Sequence, residues 1–317
     1  MQSFTFEDNS LLPALYGRED EHLVLLEKKT DTKINYRGNY LEIFGENNDC
    51  EKVSLILRNL YKRLKDGSDI SLGDVEGEIK MIQGKALNIA SEQIYIYTSK
   101  RKIVARSLNQ KSYLHSMKNN TLVFAIGPAG TGKTYLAVAV AVQCLLNNEV
   151  DRIILSRPAV EAGERLGFLP GDIKDKVDPY LRPLYDALYD MLPAETVLRK
   201  LESGEIEVAP LAFMRGRTLS NAYVIVDEAQ NTTPMQMKML LTRLGENAKM
   251  VVTGDLSQID LDNSQLSGLK QATKILNNIE DIDFINFSSQ DVVRNQLVTK
   301  MVEAYESSEE GRLNEKK

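Results

Sequence analysis

Eight consecutive residues, Gly127-Pro128-Ala129-Gly130-Thr131-Gly132-Lys133-Thr134, fit the spacing G-x-x-x-x-G-K-[ST]. The chemistry of that spacing is anion binding. A glycine-rich turn running into a helix N-terminus directs several backbone N–H groups at the same oxygens, so no single side chain must neutralise the charge. Lys133 then reaches the β and γ phosphates of a nucleotide, and the Thr134 hydroxyl is placed to ligate Mg²⁺. The flanks agree: an apolar, strand-like run, Thr121 to Ile126, leads in, and a small-residue helix, Tyr135 to Leu146, leads out. Gly127 through Tyr135 are therefore the candidate nucleotide-binding residues, set against the plainer reading of a glycine-rich turn that holds nothing.

Two further strand ends complete the pattern. Ala222 to Val226 reads as a buried strand and runs directly into Asp227-Glu228-Ala229-Gln230. A carboxylate at the C-terminal end of a parallel strand stands where open α/β sheets bind ligands. Asp227 is the candidate for the Mg²⁺ hydration shell and Glu228 for orienting the attacking water, a role that separates hydrolysis from mere binding. A third strand, Lys249 to Thr253, ends in Gly254-Asp255-Leu256-Ser257-Gln258, where Gln258 can donate to a γ-phosphate oxygen. The plain alternatives are a solvated acidic pair and a polar turn.

The elements that must carry these ends read as strand–helix alternation over residues 106–305, the signature of a parallel sheet covered by helices. Strands are predicted at 121–126, 152–156, 206–209, 222–227, 249–253 and 283–287. Ahead of this lies a small α/β module, residues 1–90. It has a helix from Leu11 to Lys28 interrupted near Gly17 and a hairpin of Lys33–Tyr36 with Tyr40–Phe44. A helix from Glu51 to Leu64, capped by Asn48 or Asp49, and a short helix at 74–82 follow. Residues 91–105 read as a polar connector, and 306–317 as a solvated tail. The connector carries Tyr95, Tyr97, Lys100, Arg101 and Lys102, with Arg106 just beyond, either a surface for a nucleic-acid strand or a solvated linker.

The chain has 317 residues and a net charge of −6, so no global basic field draws it to nucleic acid. Two cysteines, Cys50 and Cys144, and two histidines, His22 and His115, exclude a disulfide framework and supply little for zinc or histidine acid–base chemistry. The sequence shows no apolar run of bilayer length and no signal peptide, so a cytoplasmic setting is expected.

The three strand-end motifs are similar to the first motor domain of superfamily 1 helicases. Longer stretches are more particular. Ser156 to Glu164, Leu166 to Gly171, Val177 to Tyr185, Met214 to Thr218, Gln236-Met-Lys-Met and Asp291-Val-Val-Arg294 resemble the PhoH-like ATPase family. The resemblance covers nearly all of residues 106–300. It implies a RecA-like ATPase fold, ATP and Mg²⁺ as cofactors, and a role in RNA metabolism or phosphate-starvation responses. By the same resemblance Gln110 is the glutamine that reads the adenine edge, against the alternative of a surface residue. Arg294 likewise resembles an arginine finger, against the alternative of a salt-bridged helix residue, although Asn295 stands where many relatives have histidine. The N-terminal module resembles a KH-like domain, without the G-x-x-G clamp such domains use on RNA.

Arg157, Arg165, Arg215 and Arg217 follow candidate strands, where they either grip RNA phosphates or pair within the protein. A single motor domain leaves the transition-state cation to a neighbouring copy, so a homo-oligomeric ring is expected, with Arg182 and Arg217 behind Arg294 as its donors. Two rival functions are a nucleotide-switched adaptor for RNA or a partner ribonuclease and, from another class, a small-molecule phosphotransferase.

Overall fold

The computed structural model describes residues 1–67, 69–83, 94–158, 173–261 and 265–292. The N-terminal unit is built from strand β1 (Gln2–Thr5), helices α1 (Leu12–Tyr16) and α2 (Glu21–Thr30), strands β2 (Lys33–Arg37) and β3 (Tyr40–Phe44), and helices α3 (Asn47–Lys65) and α4 (Leu72–Gln83). Its sheet is antiparallel in the order β1-β3-β2. The hairpin forms as its turn residues predict. The first helix splits at Gly17, whose φ of 80° no other residue adopts cheaply and where any Cβ would press on His22. Helix α3 starts four residues before the predicted Glu51, so Asn48 and Asp49 lie inside its first turn rather than capping it. Strand β1 goes unread in the sequence because only its pairing with β3 makes four polar and apolar residues a strand.

This unit has its own core, including Leu15, Leu26, Leu41, Ile43, Ile56, Leu57 and Leu60. A buried ion pair closes it: Arg63 donates to Asp74 Oδ1 across 2.8 Å, joining α3 to α4. Removing one partner of such a pair costs about 3–5 kcal/mol, because the other charge stays buried.

The second unit begins with a hairpin of β4 (Tyr95–Tyr97) and β5 (Lys102–Val104), in the stretch read as a connector. Ile96 and Ile103 turn inward and join the main core. Next come α5 (Leu108–Asn119), β6 (Leu122–Ile126), α6 (Lys133–Leu146), β7 (Arg152–Arg157), α7 (Ile173–Met191), α8 (Ala194–Ser203), β8 (Ile206–Pro210) and β9 (Ala222–Val226). Helix α9 (Pro234–Leu241), β10 (Lys249–Gly254), α10 (Gly268–Ile275) and β11 (Ile282–Asn286) complete the order. All six predicted strands of the large sheet form within a residue or so of their expected bounds.

That sheet is parallel throughout, in the order β11-β6-β10-β9-β7-β8. It is the doubly covered sheet of a RecA-like P-loop fold. The period of two along each strand sends alternate residues to opposite faces. Val123, Ala125, Tyr223, Ile225 and Val251 enter the core beneath α5, α6 and α7. Phe124, Ile126, Val224, Val226 and Val252 enter the opposite core, under α9 and α10. Helix α6 is apolar nearly all round because it is covered on every side, and its alanines and valines keep it thin enough to fit. Strand β10 separates the strand that carries the phosphate loop from the one that carries the acidic pair. Their C-terminal ends therefore open on one edge, about one strand apart.

Candidate nucleotide site

At that edge the chain leaves β6 at Gly127, which donates to the Gly254 carbonyl at the end of β10 (3.1 Å). Gly127 has φ 148°, and a Cβ there would overlap the Phe287 carbonyl oxygen, so glycine is required by contact as well as by torsion. Gly130 and Gly132 are left-handed at φ 81° and 83°, and α6 starts at Lys133. Lys133 Nζ lies over the loop and donates to the carbonyls of Gly127 and Pro128, 2.7 Å each.

The loop and the acidic strand end meet directly. The Thr134 hydroxyl donates to Asp227 Oδ1 at 2.6 Å, and the Thr253 hydroxyl donates to the same oxygen at 2.6 Å. Asp227 is 6% exposed. The strand period explains the meeting, since Asp227 and Thr253 extend the same face as Ile225 and Val251, toward α6. Thr253 escaped the sequence reading. Its signal was a polar β-branched residue at the last inward position of an apolar strand, just before Gly254.

Glu228 adopts φ 53°, rare for a residue with a Cβ and a mark of strain held by its surroundings. Gln230 fixes it, donating to Glu228 Oε2 at 2.6 Å and to the Gln258 carbonyl at 3.1 Å, while its Oε1 accepts from Asp255 N at 3.0 Å. One amide thus ties the second strand end to the third. The Gln258 side chain is exposed at the rim. Asp255 is 7% exposed, and its Oδ2 has no hydrogen-bond partner among the described residues. Lys133, Thr134, Tyr135, Arg157, Asp227, Glu228, Asp255 and Gln258 all line one cleft of about 750 Å³, walled by Asp186 and Asp190 of α7.

The arginines divide. Arg157 sits in this cleft, 3.5 Å from Glu228 and 4.0 Å from Asp227, where it offsets two adjacent carboxylates. Arg217 forms a two-pronged pair with Glu207, 2.6 and 2.7 Å, so the within-protein alternative describes it. Arg215 and Arg182 are exposed, and Arg165 and Arg294 lie outside the described residues. The basic run of the β4–β5 hairpin is exposed at Lys100 and Arg101, and its cations have partners within the protein. Lys100 donates to the Tyr189 carbonyl (2.7 Å), Arg101 pairs with Asp190 (2.6 Å), and Lys102 lies 4.0 Å from the Tyr95 ring centre. Cations are favoured there because α7 ends beside them.

Gln110 is not the surface residue of the plainer reading. It is 4% exposed, and both ends of its amide are taken up by backbone groups. The cysteines are buried, and burial beside Glu149 pushes the Cys144 thiol up to about 12, which removes it from nucleophilic chemistry.

Tyr135 follows the loop and donates to Asp190 Oδ2 at 2.8 Å. Burial, then this carboxylate partner, pushes its phenol up to about 12. A raised folded-state value means that its contribution to stability is present below the ordinary 10 and fades as pH rises toward 12. Subtracting the phenolate absorbance titration of Tyr135→Phe from that of the wild type should leave a single phenol ionising near pH 12. A difference curve centred near 10 would contradict the contact.

The sequence profile of the PhoH-like protein family matches residues 102–306. A PhoH-like protein of Bacillus subtilis is 50% identical over 297 residues, 92% of this chain and 93% of that one. A PhoH-like protein of Mycobacterium tuberculosis is 48% identical over 303 residues, 95% of this chain and 86% of its own length. Among solved structures, a Sulfolobus solfataricus SWI2/SNF2 ATPase core in complex with dsDNA is 18% identical over 51% of this chain and 34% of that one. Its TM-score of 0.35 is too low to bear on this fold or its ligands. With a matched profile over most of its length and relatives near half identity from end to end, the chain belongs to the PhoH-like family, on a P-loop NTPase fold.

Proposed function

We propose that this protein is a Mg²⁺-dependent ATPase whose turnover serves the handling of RNA. The observation that carries the first half is the 2.6 Å contact between Thr134 and Asp227, which brings the phosphate loop and the acidic strand end into one cleft. A hydroxyl and a carboxylate are hard oxygen donors of the kind Mg²⁺ accepts, and Mg²⁺ keeps several waters besides. Thr134 and Asp227 would hold it, the latter through water, and a bound cation there would offset charge on the β and γ phosphates. On nucleotide binding Lys133 exchanges the Gly127 and Pro128 carbonyls for phosphate oxygens. Glu228 accepts from the attacking water, while Gln230 holds the carboxylate in place and Arg157, 3.5 Å from Glu228, offsets the charge of the acidic pair. Gln258, at the rim of the cleft, would report on the γ phosphate.

The single experiment is turnover and ATP binding in two variants. Lys133→Ala should lose both together, whereas Glu228→Gln should keep ATP affinity near wild type and lose turnover by about 10²–10⁴-fold. Wild-type turnover in Glu228→Gln would remove the water-positioning role.

The RNA half rests on the family resemblance together with one surface feature. After β8, at the same sheet edge, Phe213 is 52% exposed and Arg215 stands exposed two residues on. An aromatic face beside a guanidinium suits a stacked base and its phosphate. RNA should raise the ATPase rate, and Arg215→Ala should weaken RNA binding and lower its salt slope by about one. Phe213→Ala should weaken it by roughly 1–3 kcal/mol. Unchanged RNA binding in both variants would free this edge from the role.

A further inference from the structure

A continuous run of contacts leads from the N-terminal unit to the phosphate loop, and it passes through Gln110. Within α5, Gln110 Nε2 donates to the Thr131 carbonyl at 2.9 Å. The contact is close-fitting, for a Cβ at neighbouring Gly132 would lie 3.1 Å from that nitrogen. Gln110 Oε1 accepts from the backbone N–H of Arg106 at 2.7 Å. The Arg106 guanidinium in turn stands 3.4 Å from Asp74 on α4. Asp74 also receives Arg63 of α3, and the N–H and hydroxyl of Ser71 at 2.9 and 2.5 Å. Helix α4 lies so close on this segment that a Cβ at Gly77 would come 2.9 Å from the Arg106 carbonyl oxygen.

Each joint of this run is held for a physical reason. The amide of Gln110 is buried, so its two hydrogen bonds have no water to replace them. The two arginines beside Asp74 hold its carboxyl below the usual range against the opposing effect of burial, which keeps it charged and attractive to Arg106. The Thr131 carbonyl belongs to the same peptide plane as the Gly132 N–H, one of the loop donors available to phosphate oxygens. Fixing the one oxygen fixes the direction of the other group.

We propose that Gln110 is a positioning residue that couples the N-terminal unit to the nucleotide loop. The grip of α4 on Arg106 sets the orientation of the Thr131–Gly132 peptide, and a nucleotide that orders this peptide tightens α4 in return. The two directions are one free energy, because linkage between two sites is reciprocal. This inference rests on the nucleotide reading of the loop and adds to it an input from the N-terminal unit.

The test is backbone hydrogen exchange on the full chain with and without ADP and Mg²⁺. In wild type, ADP should slow exchange both in the phosphate loop and in α4. In Gln110→Ala at saturating ADP, the loop should still be protected, the protection of α4 should be gone, and ADP affinity should fall about tenfold. Arg106→Ala, whose side chain is partly exposed, should likewise lose the α4 response, and it decides the matter if Gln110→Ala does not fold. A side chain that merely supported the fold would loosen both regions with or without ADP. ADP-dependent protection of α4 that survives in the folded variants, or a wild type in which the loop responds and α4 does not, overturns the coupling. A wild type in which neither region responds overturns the nucleotide reading instead.

Discussion

Everything at the site depends on a carboxylate oxygen shared by two hydroxyls. Asp227 Oδ1 accepts from Thr134, the last residue of the phosphate loop motif, and from Thr253 at the end of the strand between. Three consecutive strands of the sheet are thereby joined at their tips. The parallel order makes this possible, since only parallel neighbours present all their C-terminal ends on one edge. The order β6-β10-β9 also sets the spacing. With one strand between the loop and the acid, Thr134 and Asp227 meet at hydrogen-bond length. The strain at Glu228 fits the same picture. Its left-handed backbone is held by Gln230, whose amide also engages the Gln258 carbonyl and the Asp255 N–H. The second and third strand ends are thus a single polar network.

The charges of the second unit follow position rather than number. The chain is acidic overall, yet Arg157 is drawn into the cleft because Asp227 and Glu228 lie side by side and need a neighbouring cation. Arg217 is fixed by Glu207 on the neighbouring strand β8, and the Lys100–Lys102 run by the end of α7 and two tyrosine rings. Among the described residues after β8, Arg215 stays exposed beside Phe213 at the sheet edge. On the opposite flank the buried set of Arg63 and Asp74, reached by Arg106, binds the N-terminal unit to the segment that braces the loop.

How much of this was legible in the sequence depended on whether the cause was local. The loop was readable because its glycines are demanded by torsion angles and its lysine by charge, all within eight residues. Both acidic residues were readable because a run such as Tyr-Val-Ile-Val must be a buried strand and its end must face the ligand edge. Thr253 and Gln230 were not singled out, since their roles exist only once neighbouring strands are in register. The β4–β5 hairpin read as a polar connector because its lysines and tyrosines outnumber Ile96 and Ile103, the two residues that anchor it. Gln110 was noticed by resemblance, but its two partners, Arg106 N and Thr131 O, are backbone groups that leave no mark in a sequence.

The central claim is that Thr134 and Asp227 form one cation-holding pair beside the phosphate loop. Its most direct measurement is ADP affinity with and without Mg²⁺, by calorimetric titration of the wild type and of Asp227→Asn. Mg²⁺ should tighten ADP binding in the wild type, and that gain should vanish in Asp227→Asn while Mg²⁺-free affinity holds or improves, because a negative charge near the phosphates has been removed. An equal gain from Mg²⁺ in both proteins would contradict the claim.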